Sequence, residues 1–302
     1  MDSMSIEPPR RTTRGWWMDE ALAEDPGEPC PSLAADTAAD IVILGGGYTG
    51  MWTAYFLKER DPGIDVVLLE QDICGGGPSG RNGGFVNGYW SSIGNMARRF
   101  GDGDALEVCL AASRSVAEIG RFCQRNDIDA WFTFGGELAV ASNPFQEGAW
   151  DAELDEARRL GAEDEFVELS PDEVRKRVDS PVLLGGVFHP DAATVQPARL
   201  ARGLRRVLLE RGVRIYEGTP VRRFAAGRFG LLVEEASISP RRFHAESRRA
   251  IRRIERARPF DPSTSTSVAR IQTFWSATVS RMCLCDRNRS ITVRLSQPIT
   301  ES

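Results

Sequence analysis

The stretch Asp40 to Gly50, D-I-V-I-L-G-G-G-Y-T-G, decides how this chain folds. Ile41, Val42, Ile43 and Leu44 make a short, apolar, largely β-branched run, the pattern of a strand buried on both faces of a parallel sheet. Gly45, Gly47 and Gly50 then fall at the three glycine positions of G-x-G-x-x-G. The first allows a tight turn, the second lets backbone approach a pyrophosphate, and the third lets a helix pack closely on the strand.

Glycine turns are common, so the flanks decide what this one does. Thr49 to Arg60 reads as a helix, with Trp52, Ala54, Tyr55 and Leu57 suited to a sheet-facing stripe and Lys58, Glu59 and Arg60 to a solvated end. Asp61-Pro62-Gly63 breaks it. Asp65 to Leu69 is a second apolar strand ending in Glu70, 20 residues beyond Gly50, where a carboxylate can accept hydrogen bonds from ribose hydroxyls. Strand, turn, helix, second strand and terminal acid in this order predict a dinucleotide-binding βαβ unit rather than an idle turn.

A second glycine-rich stretch, Asp72 to Gly84, reads D-I-C-G-G-G-P-S-G-R-N-G-G. Its backbone can come very close to a bound group, while Ser79, Arg81 and Asn82 supply a hydroxyl, a guanidinium and an amide. Such a loop suits an anionic, hydrogen-bonding ligand, and its Arg-Asn pair sets it apart from a flexible linker.

Taken together, G-G-G-Y-T-G, the strand ending in Glu70 and G-P-S-G-R-N-G-G resemble the amino-acid-oxidase-type FAD-dependent oxidoreductases, above all their γ-glutamylputrescine oxidoreductase-like and aminophosphonate oxidoreductase-like branches. Pro78 stands where that family normally has Ala. The resemblance implies a Rossmann-type FAD-binding domain with an inserted α+β substrate lobe. It implies FAD as cofactor, held by Gly45, Gly47, Tyr48, Thr49, Gly50, Glu70, Gly77, Ser79, Arg81, Asn82, Gly83 and Gly84, with the backbone of Val221 against adenine. It also implies oxidation of the C–N bond of a small amine or amino acid, with hydride passing to flavin N5, hydrolysis of the imine and reoxidation by oxygen. No catalytic residue and no oligomeric state are assigned.

The chain has 302 residues, enough for two domains or one α/β unit with a lobe, and 41% of them are hydrophobic. Nothing in it approaches about 20 consecutive apolar residues, and the N-terminus lacks a run of signal-peptide length, so a cytoplasmic protein without a membrane partner is expected. The six cysteines (Cys30, Cys74, Cys109, Cys123, Cys283 and Cys285) lack metal-site spacing and read as reduced thiols, with Cys109 and Cys123 as core packing.

Residues 1–36 read as an arm over the domain, with a short helix at Trp17 to Ala23 and Trp16-Trp17 as its anchor. Residues 37–94 form the first part of the FAD-binding domain and 95–195 the lobe. In the lobe a long helix is expected over Asp104 to Asn126, strand character over Ile128 to Ser142, and a helix over Gln146 to Leu160. Trp131, Phe132 and Phe134 are expected in the lobe core. Ser170-Pro171-Asp172-Glu173 is a capping box opening another helix. His189 beside Pro190 reads as a structural histidine rather than a catalytic base. Residues 196–227 return to the FAD-binding domain through an amphipathic helix, Gln196 to Arg211, and a strand, Val213 to Tyr216.

Residues 228–302 differ in kind. They carry a net charge of +7 against −12 for residues 1–227, and R-R-F-H-A-E-S-R-R-A-I-R-R-I-E-R-A-R is followed by S-T-S-T-S and an Arg/Ser-rich segment. The hairpin, apolar strand and late glycine stretch that the resemblance implies are not legible there. Arg241 to Arg258 has the composition of a basic helix that could bind nucleic acid or anionic lipid, but Ile251 and Ile254 are its only strong apolar anchors, so a solvated tail without a nucleic-acid partner is expected. A reading-frame change near residues 225–232, leaving an incomplete enzyme of low or no activity with an aberrant tail, accounts for the switch. The alternatives are a nicotinamide-dependent dehydrogenase, since Glu70 also suits NAD, and a non-catalytic nucleotide-binding remnant or Arg-tail interaction protein.

Overall fold

In the computed structural model the described residues are 14–225, 230–233 and 237–240. The chain enters through helix α1 (Trp16–Glu24), runs extended to strand β1 (Thr37–Ala39), and continues into β2 (Ile41–Leu44), α2 (Tyr48–Arg60) and β3 (Val66–Leu69). This is the βαβ unit read from the glycine motif. β2 and β3 pair in parallel, Ile41 opposite Val66 through Leu44 opposite Leu69. The α2 C-terminus is closed by Lys58, one of the two lysines of the chain, whose buried ammonium donates to the carbonyls of Pro62 and Ile64 at 2.6 and 3.0 Å.

The glycine-rich stretch contains a single 3₁₀ turn at Pro78–Gly80 and leads through β4 (Phe85–Val86) into α3 (Ile93–Phe100) and α4 (Asp102–Arg125). Next come β5 (Thr133–Phe134), β6 (Glu137–Ala141), α5 (Asp151–Arg159), β7 (Val167–Leu169), α6 (Pro171–Arg177), β8 (Gly185–His189) and β9 (Ala193–Thr194). These make two small antiparallel sheets, ordered β4-β9-β5 and β6-β8-β7. The capping box forms at α6: Ser170 Oγ accepts from the Glu173 N–H, and Glu173 accepts from the Ser170 N–H at 2.8 Å. Cys109 and Cys123 are both buried on α4.

The chain returns through α7 (Pro197–Glu210) and β10 (Arg214–Tyr216), which pairs with β3 in parallel and gives a sheet ordered β10-β3-β2. Leu200, Leu204, Val207 and Leu208 of α7 share one core with Met51, Tyr55, Val66 and Leu68. The last described strands are β11 (Val221–Ala225), β12 (Gly230–Val233) and β13 (Ser237–Pro240). β11 and β12 form an antiparallel hairpin, and β13 lies parallel to β1.

Five expectations are corrected. Lys58, expected at a solvated helix end, is buried, because its ammonium is held by the Pro62 and Ile64 carbonyls. β2 is not buried on both faces: Leu44 is 50% exposed and Ile41 and Val42 are half-buried, because among the described residues no strand pairs beyond β2. Of the expected anchor pair, Trp17 packs against the cluster of Met18, Ala21 and Ala198, but Trp16 is 64% exposed, and Met18 and Ala21 are the buried residues that hold the arm. Trp131 and Phe134 are exposed rather than in the lobe core; they line, with Gly120, Gln124 and Ile128, an open cleft of about 740 Å³ beside α4. A hairpin, not legible in the sequence after residue 227, forms from β11 and β12, where Gly230 to Val233 pairs with Val221 to Ala225. The basic segment from Arg241 to Arg258, and Cys283 and Cys285, lie outside the described residues.

Candidate functional site

The site forms where β2, α2 and β3 meet the glycine-rich loop. Gly47 precedes α2 with extended backbone (φ −80°, ψ 177°) and has no side chain to cap the helix. The cap comes from the second loop, where Ser79 Oγ accepts the Tyr48 N–H at 2.9 Å. The Met51 N–H reaches the Gly47 carbonyl at 3.0 Å, so Thr49 and Gly50 carry N–H groups with no acceptor inside the helix. With the helix dipole behind them, these groups favour an anion.

The glycines of the motif answer to backbone conformation at one position and to space at the others. Gly45 has φ +100°, in the left-handed region. A Cβ on Gly50 would lie 2.1 Å from the Gly45 carbonyl oxygen, so helix and strand touch there only without a side chain. At Gly47 an added Cβ would meet Ser79 Oγ at 3.0 Å. Gly46, to which the motif assigned nothing, is equally constrained: its Cβ would fall 2.5 Å from Cys74 Sγ, and its N–H donates to Glu70 Oε2 at 2.7 Å.

Glu70 stands at the end of β3, as the sequence predicts. Its second carboxylate oxygen accepts the Asp72 N–H at 3.0 Å. A carboxylate has about four lone-pair sites, so two remain for a hydroxyl donor. The Glu70 N–H donates to the Tyr216 carbonyl and the Glu70 carbonyl accepts the Thr219 N–H, at 2.9 and 2.8 Å. This stitching sets Val221 against Val67 and Leu69, close to the acid.

In the second loop, Asn82 braces rather than reaches out. Its Nδ2 donates to the Ser79 carbonyl at 2.8 Å and its Oδ1 accepts the Gly84 N–H at 2.9 Å. Gly84 (φ +76°) must lack a side chain because its Cβ would lie 2.1 Å from the Val195 carbonyl. Gly83 packs on the Phe85 ring, and nothing lies within 4 Å of a Cβ on Gly77. Arg81 is exposed, leaving its guanidinium accessible to an anion. The Tyr48 phenol points away, donating to the Pro197 carbonyl at 2.6 Å, and burial pushes its pKa up.

Sequence reasoning missed the support beneath this cradle. Arg205, 2% exposed, donates from Nε and Nη2 to Glu217 at 2.9 and 3.0 Å, and Glu217 Oε1 accepts the Cys74 N–H at 2.8 Å and Arg202 at 3.2 Å. Burial works against the Glu217 carboxylate, but the Arg205 hydrogen bonds, the Cys74 N–H and the nearby Arg202 charge hold it below the ordinary range. Burial pushes the Cys74 thiol far up, so it is a neutral packing group. The signal was available: Arg205 shares the buried face of α7 with Ala201 and Leu208, and a charge there demands a partner.

In the lobe, His189 is buried and stands edge-on to Phe166, ring centroids 4.7 Å apart. Burial lowers its pKa, with nearby Glu137 opposing. Among the described residues no group of His, Cys, Asp and Glu is arranged to hold a metal ion, and no described helix is long and apolar enough to cross a membrane.

Two unhindered N–H groups at a helix start, a side-chain-free floor and a carboxylate at the adjoining strand end fit the diphosphate and ribose of a dinucleotide. The comparisons with known proteins agree. The profile of the FAD dependent oxidoreductase family (DAO) matches residues 40–253. γ-Glutamylputrescine oxidoreductase from Escherichia coli K12 is 30% identical over 190 residues, which cover 63% of this chain and 44% of that protein. L-2-Hydroxyglutarate dehydrogenase from Escherichia coli O17:K52:H18 is 27% identical over 199 residues, 64% of this chain and 43% of that protein. The chain thus spans less than half the length of either. Among solved structures, glycine oxidase from Bacillus cereus superposes with a TM-score of 0.53 at 21% identity, over 67% of this chain and 55% of that one. L-Amino acid deaminase from Proteus myxofaciens gives 0.56 at 21% identity, over 70% and 46%. These two likenesses show the fold.

Proposed function

The chain belongs to the family of FAD dependent oxidoreductases, and from that premise we propose that it binds FAD in this cradle and serves oxidation of the C–N bond of a small amine or amino acid. The observation that carries the reading is the joint cradle of Gly46, Gly47, Glu70 and Ser79, inside a family match that begins at residue 40. Thr49 and Gly50 would offer N–H groups to the diphosphate, Glu70 would accept from the ribose, Arg81 would neutralise phosphate charge, and the Val221 backbone would border the adenine. FAD, when bound, supplies the two-electron acceptor. The substrate loses a hydride and a proton, and water then splits the resulting imine to a carbonyl compound and ammonia or an amine.

What points to an amine is the name of the 30% identical relative. A second reading, oxidation of a 2-hydroxy acid, rests on the L-2-hydroxyglutarate dehydrogenase match. Purified chain reconstituted with FAD and offered each substrate class, with flavin bleaching followed under anaerobic conditions, separates the two. Absence of flavin absorbance after reconstitution would remove both readings and return a nicotinamide-dependent enzyme or a binding remnant. Four described free cysteines suit a reducing compartment, in keeping with a cytoplasmic enzyme.

In the same proposal the Arg/Ser-rich residues beyond the family match, which ends at residue 253, are unselected sequence from a frame change that lies later than the 225–232 read from the sequence, and turnover is slow or nil. Among the described residues the outer edge of β2 has no partner strand, which supports this, since the strand pattern calls for a neighbour there. Sequencing the coding region tests it: a frame change predicts that one single-base correction restores an apolar strand and a late glycine stretch, and absence of any such frame refutes it.

A further inference from the structure

The arm before the family match is not an appendage. Met18, 1% exposed on α1, places its terminal methyl against both ends of the glycine-rich loop: Cβ atoms built on Gly75 and Gly80 would lie 3.3 and 3.1 Å from Met18 Cε. The same loop carries Ser79, which caps α2, and begins at Cys74, which packs under Gly46. Gly75 is further tied to the cradle by its N–H, which donates to the Gly46 carbonyl at 2.8 Å.

The arm is held down by buried and half-buried groups at the start of α7 and along it. Gln196, 1% exposed, donates from Nε2 to the Trp17 carbonyl at 2.8 Å and to Glu20 at 2.6 Å. Arg199 pairs with Glu20, whose carboxyl is drawn below its ordinary range by the Arg199 hydrogen bonds. Arg202 and Arg205 donate to the Pro26 and Glu28 carbonyls at 2.9 and 2.6 Å while also gripping Glu217, which holds the Cys74 N–H. One set of side chains therefore ties the arm and the loop to the same helix.

We propose that the N-terminal arm is a clamp on the FAD site, with Met18 the positioning residue that fixes the Gly75–Gly80 loop and so the Ser79 cap over α2. This rests on the FAD reading above. Because coupling between two sites is reciprocal, arm docking should tighten FAD binding and FAD should tighten the arm.

The test titrates FAD into the full chain and its variants well below the unfolding midpoint of each apoprotein, with far-UV circular dichroism as a check on folding. Met18→Ala should weaken FAD binding roughly 5- to 150-fold, the usual range of coupling between sites. Met18→Leu, which restores the volume, should recover most of it, and Trp16→Ala on the exposed face of α1 should match the parent. Hydrogen exchange on the unaltered chain gives a second readout that needs no variant: amides of residues 16–24 should slow several-fold when FAD is added. If the parent binds no FAD, the cofactor reading itself fails. If the parent binds FAD but Met18→Ala binds it equally well, or the arm amides ignore FAD, the clamp alone is overturned, and Met18 is mere core packing.

Discussion

Leu44 and Leu69 face each other in register on neighbouring strands, yet Leu69 is 2% exposed and Leu44 50%. The difference lies in what stands on either side. β3 has β2 on one flank and β10 on the other, and the β10 flank is stitched further by Arg214 to Asp65 at 2.8 Å and by the Glu70 N–H to the Tyr216 carbonyl. Among the described residues β2 has only β3. A run of four apolar residues thus specifies a strand but not its neighbours, and burial belongs to the neighbours.

The closed flank should be the costly one to disturb. Glu217→Ala leaves Arg205 buried without its partner and lets go of the Cys74 N–H, so a loss of about 3–5 kcal/mol is expected. Urea unfolding of the apoprotein measures it, and a loss below about 1 kcal/mol would mean that water or another acceptor replaces the carboxylate. Next comes Leu69→Ala, which opens a cavity in a packed site and should cost about 2–5 kcal/mol by the same measurement.

A smaller effect is expected at the mouth of the site. Glu70→Ala should weaken FAD binding by roughly 1–3 kcal/mol, since it removes the proposed acceptor for the ribose and frees the Gly46 N–H. Isothermal titration reads it, and an unchanged dissociation constant would leave Glu70 as an internal brace of the glycine turn. The acid side should also weaken as pH falls. Glu217 and Glu20 both have folded pKa values held down, so their stabilisation is complete above the unfolded carboxylate value of about 4.3 and is lost as pH drops from there through the lower folded values. Unfolding midpoints that hold steady between pH 5 and pH 3, each set roughly to bracket that window, would contradict this.

Much of the cradle was legible because backbone geometry, not tertiary context, dictates it. Gly45 needs a left-handed φ and Gly50 a bare Cα, and only glycine meets both demands cheaply, so the motif is written in the residues themselves. Glu70 was legible from its place at the strand end. Gly46, Cys74 and the Arg205–Glu217 pair were not, because their roles come from partners distant in sequence: Cys74 and Glu217 are 143 residues apart. Trp16 misled for a related reason. Bulk suggested an anchor, but helix phase turned the slimmer Met18 and Ala21 inward and left Trp16 outside.

The smallest expected effect is the sharpest test of the open edge. Leu44→Ala removes three carbons from a side chain that is half in water already, so little apolar area returns to solvent and no enclosed cavity forms. A cost of about 1 kcal/mol or less is expected, against the 2–5 kcal/mol of its register partner Leu69. If Leu44→Ala instead costs as much as Leu69→Ala, something covers the edge of β2 in solution, and the proposal of an incomplete sheet falls with the openness that motivated it. If the small cost holds for the apoprotein and also for the FAD complex, neither the cofactor nor any further part of the chain closes that flank. In that case the strand is stabilised from the β3 side alone, and the glycine turn at its end, the proposed cofactor site, is anchored by Glu70 and Cys74 rather than by a second neighbouring strand.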